Sequence, residues 1–189
     1  MPRRVLVING HPDPAPERLC AALARAYAEA AAAAGHEVRR IDVGRLDFPL
    51  IRSAVAFEQE PPPEPIRQAQ LDVTWAEHLV VILPLWLGGA PALFKAFLEQ
   101  VFRYGFALGK ERPMQGLLKG RSVRMIVTMG MPAPVFRLLF GAFGARAVGR
   151  GVFWVSGMRP VRQTFVGGVG AGRQDRAVLL ARTLGRRAA

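Results

Sequence analysis

A chain of 189 residues, 51% of them hydrophobic, is long enough to bury one sizeable core and too apolar to stay disordered. Its net charge of +12 comes from scattered arginines that cluster only at Arg182, Arg186 and Arg187, so charge alone does not mark a nucleic-acid surface, and no nucleic-acid partner is expected. Cys20 stands alone, which excludes an intrachain disulfide, and His11, His36 and His78 lack metal-ligand spacing, so no metal is expected.

Val5 to Ile8 is a continuous apolar run, as in a strand buried on both faces. A turn-rich loop follows over residues 9–16, where Pro12, Pro14 and Pro16 forbid helix. A helix is predicted from Glu17 to Ala34, with Leu19, Leu23 and Ala26 on one face and Gly35 as its stop. Glu37 to Val43 reads as the second strand. Residues 45–66 read as irregular, with Pro61, Pro62, Pro63 and Pro65, and Gln68 to Glu77 as a short helix with Leu71 and Trp75 on one side.

Leu79 to Leu83 is the third strand; it breaks at Pro84 and turns on Gly88 and Gly89. Leu93, Phe94, Phe97, Leu98, Val101 and Phe102 then fall at helical spacing. Arg103 to Lys119 is a loop and Ser122 to Thr128 the fourth strand. A weakly helical apolar segment spans Val135 to Val148, with Phe136, Leu139, Phe140 and Phe143 on one face. Gly151 to Ser156 reads as the fifth strand, the following MRPVRQTFVGG as its polar tail, and Arg173 to Leu184 as the last helix.

Strands alternating with helices predict one domain over residues 1–189: a three-layer α/β sandwich on a five-stranded parallel sheet. The flavodoxin-like order 2-1-3-4-5 is the commonest for this count, and such sheets bind ligands outside the carboxyl ends of the strands, at the switch point. The N-terminus has no signal-peptide core, and the apolar run over residues 79–94 is broken and shorter than the roughly 20 residues of a spanning helix. A cytoplasmic location is expected.

Three loops reach the switch point. In the first, the amides of Glu17, Arg18, Leu19 and Cys20 at a helix start suit a phosphate, with the Arg18 charge and a hydrogen bond from His11 in support. Neither GxGxxG nor GxxxxGK[ST] is present. In the second, Pro84, Leu85, Trp86, Leu87 and Gly88 offer a flat apolar wall and backbone amides, which an isoalloxazine needs. In the third, Thr128, Met129, Gly130 and Met131 can close over the pyrimidine end of the ring. Together they predict a flavin site.

The runs INGHPDP, RLCAALARAYAEAAAAAGHEVRRIDV and PLWLGGAPALFKAFLEQVFRYGFAL resemble the NAD(P)H:quinone oxidoreductase family of the flavodoxin-like superfamily, well over residues 4–130 and weakly beyond. That group includes mammalian quinone reductase, bacterial modulators of drug activity and ancillary proteins of glutathione-gated potassium efflux. The resemblance implies a homodimeric flavoenzyme working by ping-pong hydride transfer from NAD(P)H through the flavin to a quinone or similar acceptor. By position, His11, Arg18 and Leu19 match phosphate contacts, Pro84 to Leu87 ring contacts, and Thr128 to Met131 the family's TTGG loop. It favours FMN, with FAD the alternative, because the chain lacks the C-terminal region that helps hold adenine in longer relatives.

Three departures stand out. Pro16-Glu17-Arg18 replace the Ser and Phe-Asn often found after the histidine loop, and TTGG reads TMGM. The stretch PAPVFRLLFGAFG has no Tyr or His, which leaves Arg137 as its polar candidate, and no catalytic side chain is assigned. The same stretch is too apolar for a free surface and is expected to pack at a dimer interface beside the flavin. The alternative function is a flavin-containing regulatory subunit that contacts a membrane transporter. The acceptor, the choice between NADH and NADPH, and the cellular role are not legible.

Overall fold

The computed structural model describes residues 1–111, 115–170, 172 and 174–188; the predicted helix start at Arg173 lies outside them. Five parallel strands, β1 (Arg4–Asn9), β2 (Glu37–Asp42), β3 (His78–Pro84), β4 (Ser122–Thr128) and β5 (Val161–Val166), form one sheet in the order β2-β1-β3-β4-β5. Every residue of β3 is buried, the expected burial of a central strand in a parallel sheet. The edge strands are polar: β2 buries only Ile41. Its Glu37, Arg39 and Arg40 discourage pairing with another chain.

Helices cover both faces. Val5, Val7, Val80, Ile82 and Ile126 pack against α1 (Leu19–Ala33) and the last helix, Gln174–Arg187. On that side a Cβ at Gly185 would lie 2.4 Å from the Tyr27 carbonyl oxygen, so the two helices touch backbone to backbone. Leu6, Ile8, Leu79, Val81, Met125 and Val127 face the other way, onto Ile66, Phe94, Phe97, Phe136 and Phe153. This layer holds α2 (Ala54–Glu58), α3 (Glu64–Trp75), α4 (Ala92–Val101), α5 (Ala133–Leu138) and α6 (Phe143–Val148), which makes Gln174–Arg187 α7.

Three expectations are corrected. Gly151 to Ser156 is not a strand: Gly149–Trp154 is a π-helical turn, and Gly149, Phe153 and Ser156 are buried at helical spacing. The strand is the supposed polar tail, where the Gln163 amide donates to the Ala145 carbonyl at 2.9 Å and Arg124 donates to the Thr164 hydroxyl at 3.1 Å. In α3 the buried face is Ile66, Ala69 and Val73, and Leu71 points outward. The apolar segment after Pro132 is two helices, split where Gly141 and Ala142 take φ of 56° and 52°.

His78, the first residue of β3, is buried, with Nδ1 2.7 Å from the Ser122 hydroxyl. Burial, and then the charges of Arg3, Arg124, Arg162 and His36, hold its pKa down to about 4. Its folded pKa thus lies below its unfolded value. As pH falls from about 6.5 to 4 the unfolded chain takes a proton that the folded one refuses, which removes about 3 kcal/mol of stability. Urea unfolding across that range is expected to show the loss in the native chain and a flatter curve in His78→Gln; parallel curves would contradict it.

Candidate functional site

The site starts where β1 ends. The Asn9 amide donates to Asp42 at 3.0 Å, and its Oδ1 accepts the His11 N–H at 3.2 Å, which sets the turn. The Asp13 N–H donates to His11 Nδ1 at 3.0 Å. Nδ1 also lies 3.1 Å from the Asp13 carbonyl oxygen, so Asp13 anchors the ring through Nδ1 in either tautomer, and burial lowers the pKa of the imidazole, which favours its neutral form.

Arg18 sits at the N-cap of α1 in extended geometry, and no side chain caps the helix. The first intrahelical bond runs from Ala22 N–H to Arg18 O at 3.0 Å, which leaves Leu19, Cys20 and Ala21 N–H without intrahelical acceptors. The Arg18 N–H, predicted as an anion donor, instead bonds the Ala15 carbonyl at 3.2 Å. The Arg18 Nε pairs with Asp13 Oδ2 at 2.6 Å, and Asp13 Oδ1 accepts the Ala15 N–H at 2.9 Å. The guanidinium is thus braced by a carboxylate, with its two terminal nitrogens left to act.

The second loop is a tight hairpin. Trp86 and Gly89 exchange N–H···O bonds at 3.0 and 2.9 Å, and Leu87 and Gly88 take φ of 47° and 79°. Positive φ at both central residues is the mark of a type I′ turn. Trp86 is half exposed and meets the His11 ring edge-on at 5.7 Å, which ties the first loop to the second. The Leu85 N–H donates to Thr128 O at 2.7 Å, which ties the second to the third.

In the third loop the Thr128 hydroxyl is turned inward, 3.4 Å from Cys20 Sγ. Burial pushes the Cys20 thiol up to about 11, so it is protonated and inert at neutral pH. The Met129 N–H is spent on Val166 O at 2.9 Å. The Gly130 and Met131 N–H groups have no protein acceptor among the described residues, and a Cβ at Gly130 would meet nothing within 4 Å.

These loops enclose a cleft of about 440 Å³, within the range of roughly 300–1,000 Å³ usual for small-ligand sites. His11, Arg18, Leu19, Cys20, Pro84, Leu85, Trp86, Thr128, Met129 and Gly130 all line it. Leu87, Gly88 and Met131 do not: the hairpin carries Leu87 to a fully exposed tip, and Met131 is held by the Gly168 N–H. Arg137 is exposed and also outside the cleft. Val169 and Gln174 line it without having been singled out. With β5 ending at Val166, the loop after it is a strand-end loop like the other three, and that rule finds them. A larger cavity, about 640 Å³, lies at the amino ends of the strands, the wrong end for a switch-point ligand.

The donor set fits a flavin mononucleotide. One end of the cleft offers the uncapped N–H groups of Leu19 and Cys20, the His11 ring and a braced guanidinium, which suit a phosphate. The other offers Leu85, the Trp86 ring and the open backbone at Gly130, which suit a flat ring. Among the described residues no group of three or more His, Cys, Asp or Glu is placed to hold a metal ion. None of their helices is long and apolar enough to cross a membrane.

Fold and cleft together define a doubly wound α/β protein with a cleft at the switch point between β1 and β3, where such folds bind ligands. The chain belongs to the flavodoxin-like fold family, whose model matches residues 3–186. It is 28% identical over 155 residues to a ribosyldihydronicotinamide dehydrogenase-like protein from Penicillium crustosum, a match that covers 67% of this chain and 57% of that protein. The chain thus spans just over half the length of that curated relative. An NAD(P)H:quinone oxidoreductase from Methanothermobacter marburgensis superposes with a TM-score of 0.81, 22% identity and 98% of each chain covered. An FMN-dependent NADH-azoreductase from Bacillus anthracis, in complex with FMN, superposes with a TM-score of 0.74, 16% identity, and 98% of this chain and 97% of that one covered. At these identities the structural likeness is one of fold.

Proposed function

We propose that the chain is a flavin-dependent NAD(P)H oxidoreductase that holds FMN in the cleft at the ends of β1, β3 and β4 and passes electrons to a quinone or similar small acceptor. The observation that carries this reading is the convergence of an uncapped helix start, a tryptophan-bearing hairpin and an open glycine loop on one cleft. The names of the related proteins, an NAD(P)H:quinone oxidoreductase and an FMN-dependent azoreductase among them, support it.

When bound, the flavin supplies the hydride and two-electron chemistry. The chain's own residues do the rest. The Leu19 and Cys20 N–H groups and the positive end of α1 would hold the phosphate, with the His11 ring beside it. Leu85 and Trp86 would wall one side of the ring. The Cys20 proton stays on sulfur, so no thiolate competes. One cleft serves donor and acceptor, which is why the oxidised nicotinamide leaves before the acceptor enters. Oxidation of NADPH or NADH by the purified protein, dependent on an added quinone, tests this; inertness with every quinone and azo acceptor contradicts it.

The protein acts as a homodimer in this reading. Leu138, Leu139, Phe140 and Phe143 are 87, 76, 47 and 74% exposed, an apolar surface for which a second copy is the simplest cover. It adjoins the hairpin, because a Cβ at Gly144 would lie 2.0 Å from Gly88 O. Phe140→Glu is expected to give monomers that retain flavin weakly; a flavin-loaded dimer from that variant would sink the idea. A transporter-docked regulatory subunit would use the same surface, and would stay inert with every acceptor yet change size with a membrane partner.

A further inference from the structure

The larger cavity, about 640 Å³, opens where β3, β4 and β5 begin, at the opposite end of the sheet from the flavin cleft. Its lining is basic. Among the described residues, Arg3, Arg159, Arg162 and Arg187 face one side-chain carboxylate, that of Glu77, which Arg4 already holds through its guanidinium at 3.8 Å and its N–H at 3.0 Å. Arg3 Nη1 spends a donor on Ala188 O at 3.2 Å, and the Arg159 guanidinium lies over the Trp154 ring at 4.5 Å. Arg162 and Arg187 have no ion-pair or hydrogen-bond partner among the described residues.

The buried wall makes this more than a charged surface. His78 lines the cavity at 2% exposure, with Nδ1 on the Ser122 hydroxyl and Nε2 without a partner. Behind that wall, and not part of the lining, Arg124 pairs with Arg162 in the β4–β5 register and donates to the Thr164 hydroxyl at 3.1 Å. Arg3, Arg124 and Arg162 therefore crowd positive charge around an imidazole that the same charges, after burial, keep neutral. Several like charges gathered at one place repel one another, and an anion seated among the lining arginines relieves that repulsion.

We propose that this cavity binds a small molecule carrying two or more phosphate groups, gripped by Arg162 and Arg187 with His78 at its wall. Guanidinium forks match phosphate oxygens two at a time, and two unpaired forks ask for more than one phosphate. The site is concave and confined, which suits a small ligand and not a duplex backbone. It is separate from the flavin cleft and does not rest on the redox reading.

The test is a titration of the FMN-saturated protein with inorganic tripolyphosphate, followed by the imidazole NMR signals of its three histidines. The His78 signals are expected to move and its titration to shift upward, while those of His11, in the flavin cleft, stay in place. Arg162→Gln with Arg187→Gln is expected to weaken tripolyphosphate at least about tenfold. Arg25→Gln with Arg52→Gln, an equal loss of charge at exposed sites, is expected to change it less than about twofold. Equal losses in the two pairs, tripolyphosphate bound with His78 unmoved, or no binding at all would overturn the proposal. His11 reports the flavin cleft separately, so failure there leaves this result readable.

Discussion

Gly144→Ala is expected to lower turnover about 100-fold, the usual cost of misplacing a reacting group by about 1 Å. Gly144 lies in α6, where alanine is the better helix former by about 1 kcal/mol, so propensity alone favours the change. Space forbids it. The new Cβ would lie 2.0 Å from Gly88 O and 2.7 Å from Gly89 Cα, both backbone atoms, where contacts settle at about 3.5 Å. The hairpin that carries Trp86 must give way by about 1 Å or more, and with it the wall of the cleft. The two stability effects oppose, so the melting temperature moves little while activity and bound flavin fall. Steady-state turnover with a quinone, alongside flavin content, reads this out. Full flavin with native turnover would separate the hairpin from the chemistry.

Arg103→Met is expected to cost about 3 kcal/mol of stability and to lower the melting temperature by about 6–12 °C. Arg103 is 6% exposed, and burial lowers its pKa. Its Nη1 donates to the Glu60 carbonyl at 2.6 Å and to the Ala56 carbonyl at 3.2 Å, and its Nη2 donates to Gln100 Oε1. The Gln100 amide in turn donates to Pro49 O at 2.6 Å. This chain of bonds pins the irregular stretch around α2 to the end of α4. Methionine keeps most of the volume and the stem packing, so the loss reports the hydrogen bonds. A shift below about 0.5 kcal/mol in thermal or urea unfolding would show that the stretch holds itself.

The central strands were legible because a strand buried on both faces leaves an uninterrupted apolar run, as Leu79 to Leu83 does. β5 was not, since an edge strand needs no such run, and VRQTFV is polar and half buried. The nearby apolar run GVFWVS folds instead as a π-helical turn, and runs that short fit strand or buried helix equally. That one displacement hid Val169 and Gln174, because the loop that holds Val169 and the helix that starts at Gln174 both follow β5.

In the site, residue types were readable and hydrogen-bond partners were not. The glycine pair pointed to a turn, but its centre is Leu87-Gly88, and a leucine at φ 47° has no sequence signal. The Asp13–Arg18 brace and the inward Thr128–Cys20 contact arise from a proline-stiffened loop and a cross-element meeting, which no local spacing encodes.

The most direct test of the account is the absorption spectrum of the purified protein, followed by release and chromatography of its chromophore. Flavin bands are expected, with a released compound that runs as FMN. A protein without flavin bands that also fails to take up added FMN would contradict it.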